Sequence, residues 1–233
     1  MDESRTATEV DAHAKRPMLA PMTTSPLPAR PDVQIESTER VWNGRYPLDV
    51  VRFRHRRFDG TTSAVRTWEL WRRGPAAALL PYDPERDAVV LIEQFRLPAL
   101  AAGLDPVLIE VPAGLSDGPE TAEQTIRREL EEETGLRADR LELIGQFLLT
   151  AGGSDELCSL FAGRVQTPAA GPHGLLGQAG LEAEHEDIRV RLWPATEAID
   201  AVLTGRVPNS VAAIALLWLH ARRPALREQW MTA

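Results

Sequence analysis

The chain has 233 residues, 43% of them hydrophobic, and a formal net charge of −8. That length fits one large domain or a domain with a small companion, and the apolar content suffices for a buried core. The negative balance argues against a nucleic-acid partner held by general charge attraction, and a lone cysteine, Cys158, excludes an internal disulfide and fits a reducing compartment.

Residues 1–30 include "AKRPMLAPMTTSPLPARP", rich in Pro, Thr and Ala. No apolar run there is long enough for a signal peptide or a membrane span, so a disordered tail and a cytoplasmic protein are expected. From Asp32 to Trp71 the pattern favours strands. "DVQIESTERVW" and "LDVVRFRHRRFDG" alternate in part, Asp59-Gly60 in "FDGTT" signals a hairpin turn, and "AVRTWELWRRG" continues as a strand. Residues 31–75 therefore read as a small antiparallel β domain.

Residues 76–233 read as a second domain. "AAALLPYD" and "DAVVLIEQFR" flank the turn chemistry of "PYDPERD" and form a hairpin. "PVLIEVPAG" is a strand stopped by Pro112 and Gly114. "LELIGQFLLT" and "ELCSLFAGRV" are strands either side of "AGGSDE", and "DIRVRLWP" is another. Cys158, in "LCSLFAG", reads as a small buried hydrophobe. A helix is predicted from about Thr121 to Thr134. Thr121 and Gln124 form a capping box, Gly135 sits where a terminating glycine belongs, and Ala122, Ile126 and Leu130 make its buried stripe. "ATEAIDAVLTG" is a shorter helix. "SVAAIALLWLHA", Ser210 to Ala221, is apolar nearly all round but too short to span a bilayer, so it reads as a packed helix. The fold class is α+β, a layered sandwich preceded by a small β domain.

The helix from Thr121 concentrates acid: Glu129, Glu131, Glu132 and Glu133. Glu129 and Glu133 lie one turn apart on one face, with Glu132 three residues from Glu129. Like charges so spaced destabilise a helix by about 0.2–0.5 kcal/mol per pair. A solvated acidic face is one explanation, with Arg128 paired to Glu132 and Arg127 to Glu131. A cation site is the other. Mg²⁺ takes oxygen ligands and is commonly held by a few carboxylates plus substrate phosphates. The glycine-ended "VPAG" would bring a backbone carbonyl near the same helix.

Gly114, Glu120, then Arg128-Glu129-Leu130-Glu131-Glu132-Glu133-Thr134-Gly135-Leu136 fill every fixed position of G-x5-E-x7-R-E-U-x-E-E-x-G-U, where U is a bulky aliphatic residue. This stretch resembles a complete Nudix box. The resemblance implies an α/β/α Nudix sandwich and Mg²⁺- or Mn²⁺-dependent hydrolysis of a nucleoside diphosphate linked to another moiety. It implies that Glu129, Glu133 and the backbone carbonyl of Ala113 ligate metal, that Glu132 ligates or supports the cluster, and that Arg128 orients the glutamates.

Over about Asp32 to Trp230 the chain resembles bacterial ADP-ribose pyrophosphatases, through "VVLIEQFR", "E-x-x-AG" at Glu110 to Gly114, "GGSDE", "EHEDIRV" and "SVAAIALLWL". That resemblance implies a homodimer exchanging its β domains, with AMP and ribose 5-phosphate as products. It matches Glu184 to a general base and Glu186 to a further metal ligand, both in "LEAEHEDIRV", which also reads as an acidic surface loop. It matches Arg96 to a diphosphate contact, Glu69 and Arg73 to contacts made across the dimer, and Leu115, Gly152 and Glu156 to positions near the ribose and phosphates. There are departures. Ala151 stands where a proline marks ADP-ribose specificity, Arg45 and Tyr46 where an aromatic stacks on adenine, and Trp68 where an arginine is usual. Trp68 could supply the stacking or serve as a core residue of the β domain, with Trp71 competing for that place. These departures admit a pyrophosphatase for another nucleoside diphosphate sugar, such as GDP-mannose. Tellurite-resistance Nudix proteins are also similar. A non-hydrolytic ADP-ribose sensor fits less well, because the box is intact and no helix-turn-helix follows.

Overall fold

The computed structural model describes residues 26–116, 118–181 and 186–232. The chain divides into two compact units, one ending at Arg72 and one beginning at Arg73.

The first unit is a three-stranded antiparallel meander of β1 (Val33–Trp42), β2 (Leu48–His55) and β3 (Arg66–Trp71). Buried Asp49 accepts from Arg40 Nε at 2.8 Å and from Nη1 of Arg72, also buried, at 3.2 Å. The Arg40 hydrogen bond holds its carboxyl below the usual aspartate range. The β2–β3 connection is longer than a two-residue hairpin. Asp59 accepts from the Thr61 N–H and hydroxyl, and Gly60 turns the chain at φ 84°.

The second unit contains β4 (Pro75–Asp83), β5 (Ala88–Phe95), α1 (Leu97–Ala101), β6 (Val107–Glu110), β7 (Ala113–Leu115), α2 (Ala122–Thr134), β8 (Arg140–Leu148), β9 (Leu157–Arg164), β10 (Leu175–Ala179), β11 (Ile188–Pro194), α3 (Ala195–Leu203) and α4 (Ser210–Met231). Its sheet runs β10-β11-β5-β4-β9-β8, and β4 lies parallel to β9. β4 alternates strictly. Ala76, Ala78, Leu80 and Tyr82 pack with α3 and α4, while Ala77 and Leu79 pack with Ile126 and Leu130 of α2. Helices therefore cover both faces, which makes the sandwich. Among the described residues no helix is long and apolar enough to cross a membrane.

One irregularity positions the site. β4 and β5 pair only beside their turn, at Tyr82–Val89 and Asp83–Ala88. Beyond it they part. Ile92 to Phe95 of β5 pair with β6, and Ala76 to Ala78 of β4 pair with β7. "VLIEVPAGL" is thus seated in the split, where Ala113 meets Glu133 of α2 and Glu110 meets Asn209, just before α4.

Expectation and structure differ at α4, α1 and β10. α4 passes Ala221 and Pro224 and runs on to Met231. Proline removes a helical hydrogen bond, but Leu226 and Trp230 are buried and Arg223 binds Asp87, so tertiary packing holds the second half. α1 and β10 were not evident from the pattern. The first is five residues opened by a proline, and the second carries Gly177 after a Pro- and Gly-rich run.

Candidate active site

α2 forms as its sequence predicts. Thr121 Oγ1 accepts from the Gln124 N–H at 3.2 Å, and the Gln124 side chain accepts from the Thr121 N–H at 2.9 Å. Gly135, at φ 71°, ends the helix. Its buried stripe continues from Ile126 and Leu130 onto Glu133, which is only 2% exposed. The apolar periodicity that docks the helix thus carries a carboxylate inside.

Glu133 Oε2 accepts from the backbone N–H of Ala113 at 3.0 Å, across the split of the sheet. Burial pushes its pKa up to about 9, reinforced by Glu129 and Glu186. Burial likewise raises Glu129, against the opposing charge of Arg128. Gly114 is fixed by contact: a Cβ there would land on the Glu129 carboxylate. Arg128 Nη1 donates to Glu129 at 2.9 Å and to Glu132 at 2.8 Å, and its Nη2 to Glu120 at 3.2 Å. Burial opposes the charge of Arg128, yet these carboxylates hold its pKa above the ordinary arginine value. Arg127 does not pair with Glu131. Its guanidinium takes Glu123 and the Ala138 carbonyl, and Glu131 pairs with Arg137.

Arg96, at the end of β5, donates Nη2 to Glu110 Oε2 at 2.7 Å. Burial works against its charge, but Glu110, then Glu133 and Glu186, raise its pKa. Glu186 accepts from the Leu181 N–H at 3.2 Å, and Gly180 allows the two strands of backbone to approach there. Glu184 lies outside the described residues. Arg73 and Glu156 bind each other, Nε to Oε2 at 2.8 Å, while Asp155 accepts from the Arg73 and Gly74 N–H groups. Leu115 packs at the margin of the core, and Gly152 lies in an open turn beside Ala151.

In the first unit, Trp68 is 54% exposed and meets Phe53 edge-on, with ring centroids 5.5 Å apart. It is not a core residue of that sheet. Trp71 meets Tyr46 edge-on at 5.8 Å, and the Arg45 guanidinium sits over Tyr46. Glu69 is exposed.

Glu110, Gln94 and Asn209 carry no role in the motif reading. Gln94 Nε2 and Asn209 Nδ2 both donate to Glu110, at 3.2 and 3.0 Å. Glu110 was visible only as the first residue of "E-x-x-AG". Asn209 shows one local signal, an N-cap residue before an apolar helix.

The carboxyl chemistry fits a hard divalent cation. Glu133 is buried and Glu129 half-buried, desolvation raises the pKa of both, and added positive charge would relieve both. Among the described residues no three acidic or imidazole groups form a closed cage.

The Glu133 carboxylate of the capped helix α2 thus lies in the field of an arginine beside the split of the sheet. Residues 72–214 match the NUDIX domain model, and the chain belongs to the Nudix family of hydrolases. It is 41% identical over 200 residues to the ADP-ribose pyrophosphatase of Escherichia coli strain K12, covering 85% of this chain and 93% of that protein. It is 33% identical over 202 residues to the ADP-ribose pyrophosphatase of Haemophilus influenzae, covering 85% and 91%. It is 34% identical over 152 residues to the GDP-mannose pyrophosphatase of Yersinia enterocolitica, covering 65% and 76%. The fold is similar to a solved ADP compounds hydrolase, with TM-score 0.57 and 20% identity over 84% of this chain and 98% of that one.

Proposed function

We propose that the protein hydrolyses the diphosphate bond of ADP-ribose to AMP and ribose 5-phosphate, with Mg²⁺ or Mn²⁺ as cofactor. The observation that carries this reading is the buried Glu133 carboxylate, held by Ala113 and coupled to Glu129 and Glu186, in a chain 41% identical to an ADP-ribose pyrophosphatase.

Glu129, Glu133, Glu186 and the Ala113 carbonyl would hold the cation. When bound, such a cation offsets diphosphate charge and makes a water easier to deprotonate. Arg96 takes phosphate oxygens with its planar guanidinium. Arg128 keeps Glu129 and Glu132 aimed by charge-assisted hydrogen bonds. Glu184 accepts the proton of the attacking water. Trp68 offers its open face to the base, with Arg45, Tyr46 and Glu69 as further contacts. Arg73, Leu115, Gly152 and Glu156 serve the ribose and phosphates. The protein works as a cytoplasmic homodimer. Exposed Ile35, Val41 and Trp42 on the first sheet support a second copy as partner.

A second reading is a pyrophosphatase for GDP-mannose. The 34% identity to such an enzyme and the residues Ala151, Arg45 and Trp68 favour it.

Product analysis separates them. The purified protein with Mg²⁺ is given ADP-ribose, GDP-mannose, ADP-glucose and NADH in parallel. AMP and ribose 5-phosphate from ADP-ribose, well ahead of the rest, is the expected result. Faster release of mannose 1-phosphate from GDP-mannose would replace it with the second reading.

A further inference from the structure

Glu110 is 7% exposed, and its carboxylate is saturated by three side chains from two distant elements. Arg96 donates Nε at 3.1 and 3.2 Å and Nη2 at 2.7 Å. Gln94 donates Nε2 to Oε2 at 3.2 Å, and Asn209 donates Nδ2 to Oε1 at 3.0 Å. Gln94 lies on β5 and Arg96 follows directly after it, while Asn209 stands before α4, 99 positions from Glu110 in the chain. Arg96 Nη1 has no hydrogen-bond partner among the described residues.

We propose that Asn209 is a positioning residue for the diphosphate, acting through Glu110 on Arg96. The inference rests on Arg96 as the phosphate contact. An arginine side chain has several rotatable bonds, and Arg96 lies in the field of Glu133 and Glu186. Released, it would be drawn onto those carboxylates and would compete with a cation for them. Glu110 holds the Nε and Nη2 edge, which leaves Nη1 for a phosphate oxygen. Gln94 reaches only Oε2 of Glu110, so apart from Arg96 itself Asn209 is the side chain that holds Oε1 among the described residues. Asn209 is itself oriented, because its Oδ1 accepts from the Ala212 N–H at 2.9 Å as the cap of α4. The flipped amide would turn an acceptor toward a carboxylate and a donor toward an N–H, so one orientation satisfies both ends.

The alternative is that Asn209 merely caps α4. Serine and aspartate cap about as well as asparagine. Asn209→Ser keeps a cap and loses the amide donor, and Asn209→Asp keeps a cap but faces Glu110 with like charge. Steady-state kinetics on ADP-ribose with Mg²⁺ are measured for both, for Arg96→Ala, and for Arg96→Ala with Asn209→Ser, with melting temperatures alongside. The expected result is an unchanged melting temperature for Asn209→Ser, with KM raised about 10-fold and kcat changed less. Asn209→Asp is worse than Asn209→Ser, and Asn209→Ser has no further effect once Arg96 is alanine. A normal KM in both Asn209 variants, or a loss that adds in full to that of Arg96→Ala, overturns the positioning role. A normal KM in Arg96→Ala overturns instead the assignment of Arg96 on which the inference rests.

Discussion

The backbone N–H of Ala113 and the carboxylate of Glu133 meet at 3.0 Å, joining the strand in the sheet split to the last turn of α2. The contact fixes a buried carboxylate at the one place where β4 and β5 have parted. Because a glutamine oxygen accepts the same N–H, Glu133→Gln should fold normally. On the proposed reading, it removes a carboxylate that would hold the cation. Loss of a metal ligand forfeits several kcal/mol of transition-state stabilisation, so kcat should fall on the order of 10²–10³-fold. Circular dichroism and single-substrate kinetics on the same preparation check both halves.

Gly114 is a second test of the same geometry. Alanine there collides with the Glu129 carboxylate, the free end of a flexible side chain. The side chain can move, so the fold should lose little, about 1 kcal/mol. If Glu129 holds the cation as proposed, its displacement should lower activity far more than stability. A denaturant melt set beside kcat/KM for Gly114→Ala reads the contrast.

Trp68 gives a test of substrate recognition. It is 54% exposed and its loss opens no core cavity. Trp68→Ala should leave the melting temperature unchanged. If its ring stacks on the base, worth about 1–3 kcal/mol in nucleic-acid systems, KM for ADP-ribose should rise about 5- to 100-fold. Trp68→Phe should recover part of that loss.

The α2 cap, its stripe and the box glutamates were legible because each depends on residues within two helical turns. The strands of the sandwich were legible for a similar reason, since alternation and turn residues are local. Arg127 was not, because its partners Glu123 and the Ala138 carbonyl compete with Glu131 on equal sequence terms and only the backbone path after Gly135 decides. Glu110 and Asn209 were not, because 99 positions separate them. The continuation of α4 past Pro224 was hidden for the same reason. It is held by Asp87, on a strand turn far upstream.

That last contact predicts a pH dependence. Asp87 accepts from Arg223 Nε at 2.8 Å and from the Tyr82 hydroxyl at 2.7 Å. The Arg223 hydrogen bond holds its carboxyl below the usual aspartate range. A depressed folded-state pKa adds stability above the unfolded value, and that stability is lost as pH falls through the folded value. Asp87→Asn should therefore cost about 1–2 kcal/mol near neutrality. The difference from the parent should shrink below about pH 4, where the unfolded carboxyl takes up its proton. Urea melts of both proteins across the acid range check the sign.

The most direct test of the whole account is kcat/KM for ADP-ribose and GDP-mannose, with Mg²⁺, in the parent chain and in Glu133→Gln. ADP-ribose should be the better substrate, and the variant should lose both activities. A parent chain that favours GDP-mannose, or a Glu133→Gln protein that retains its turnover, would contradict it.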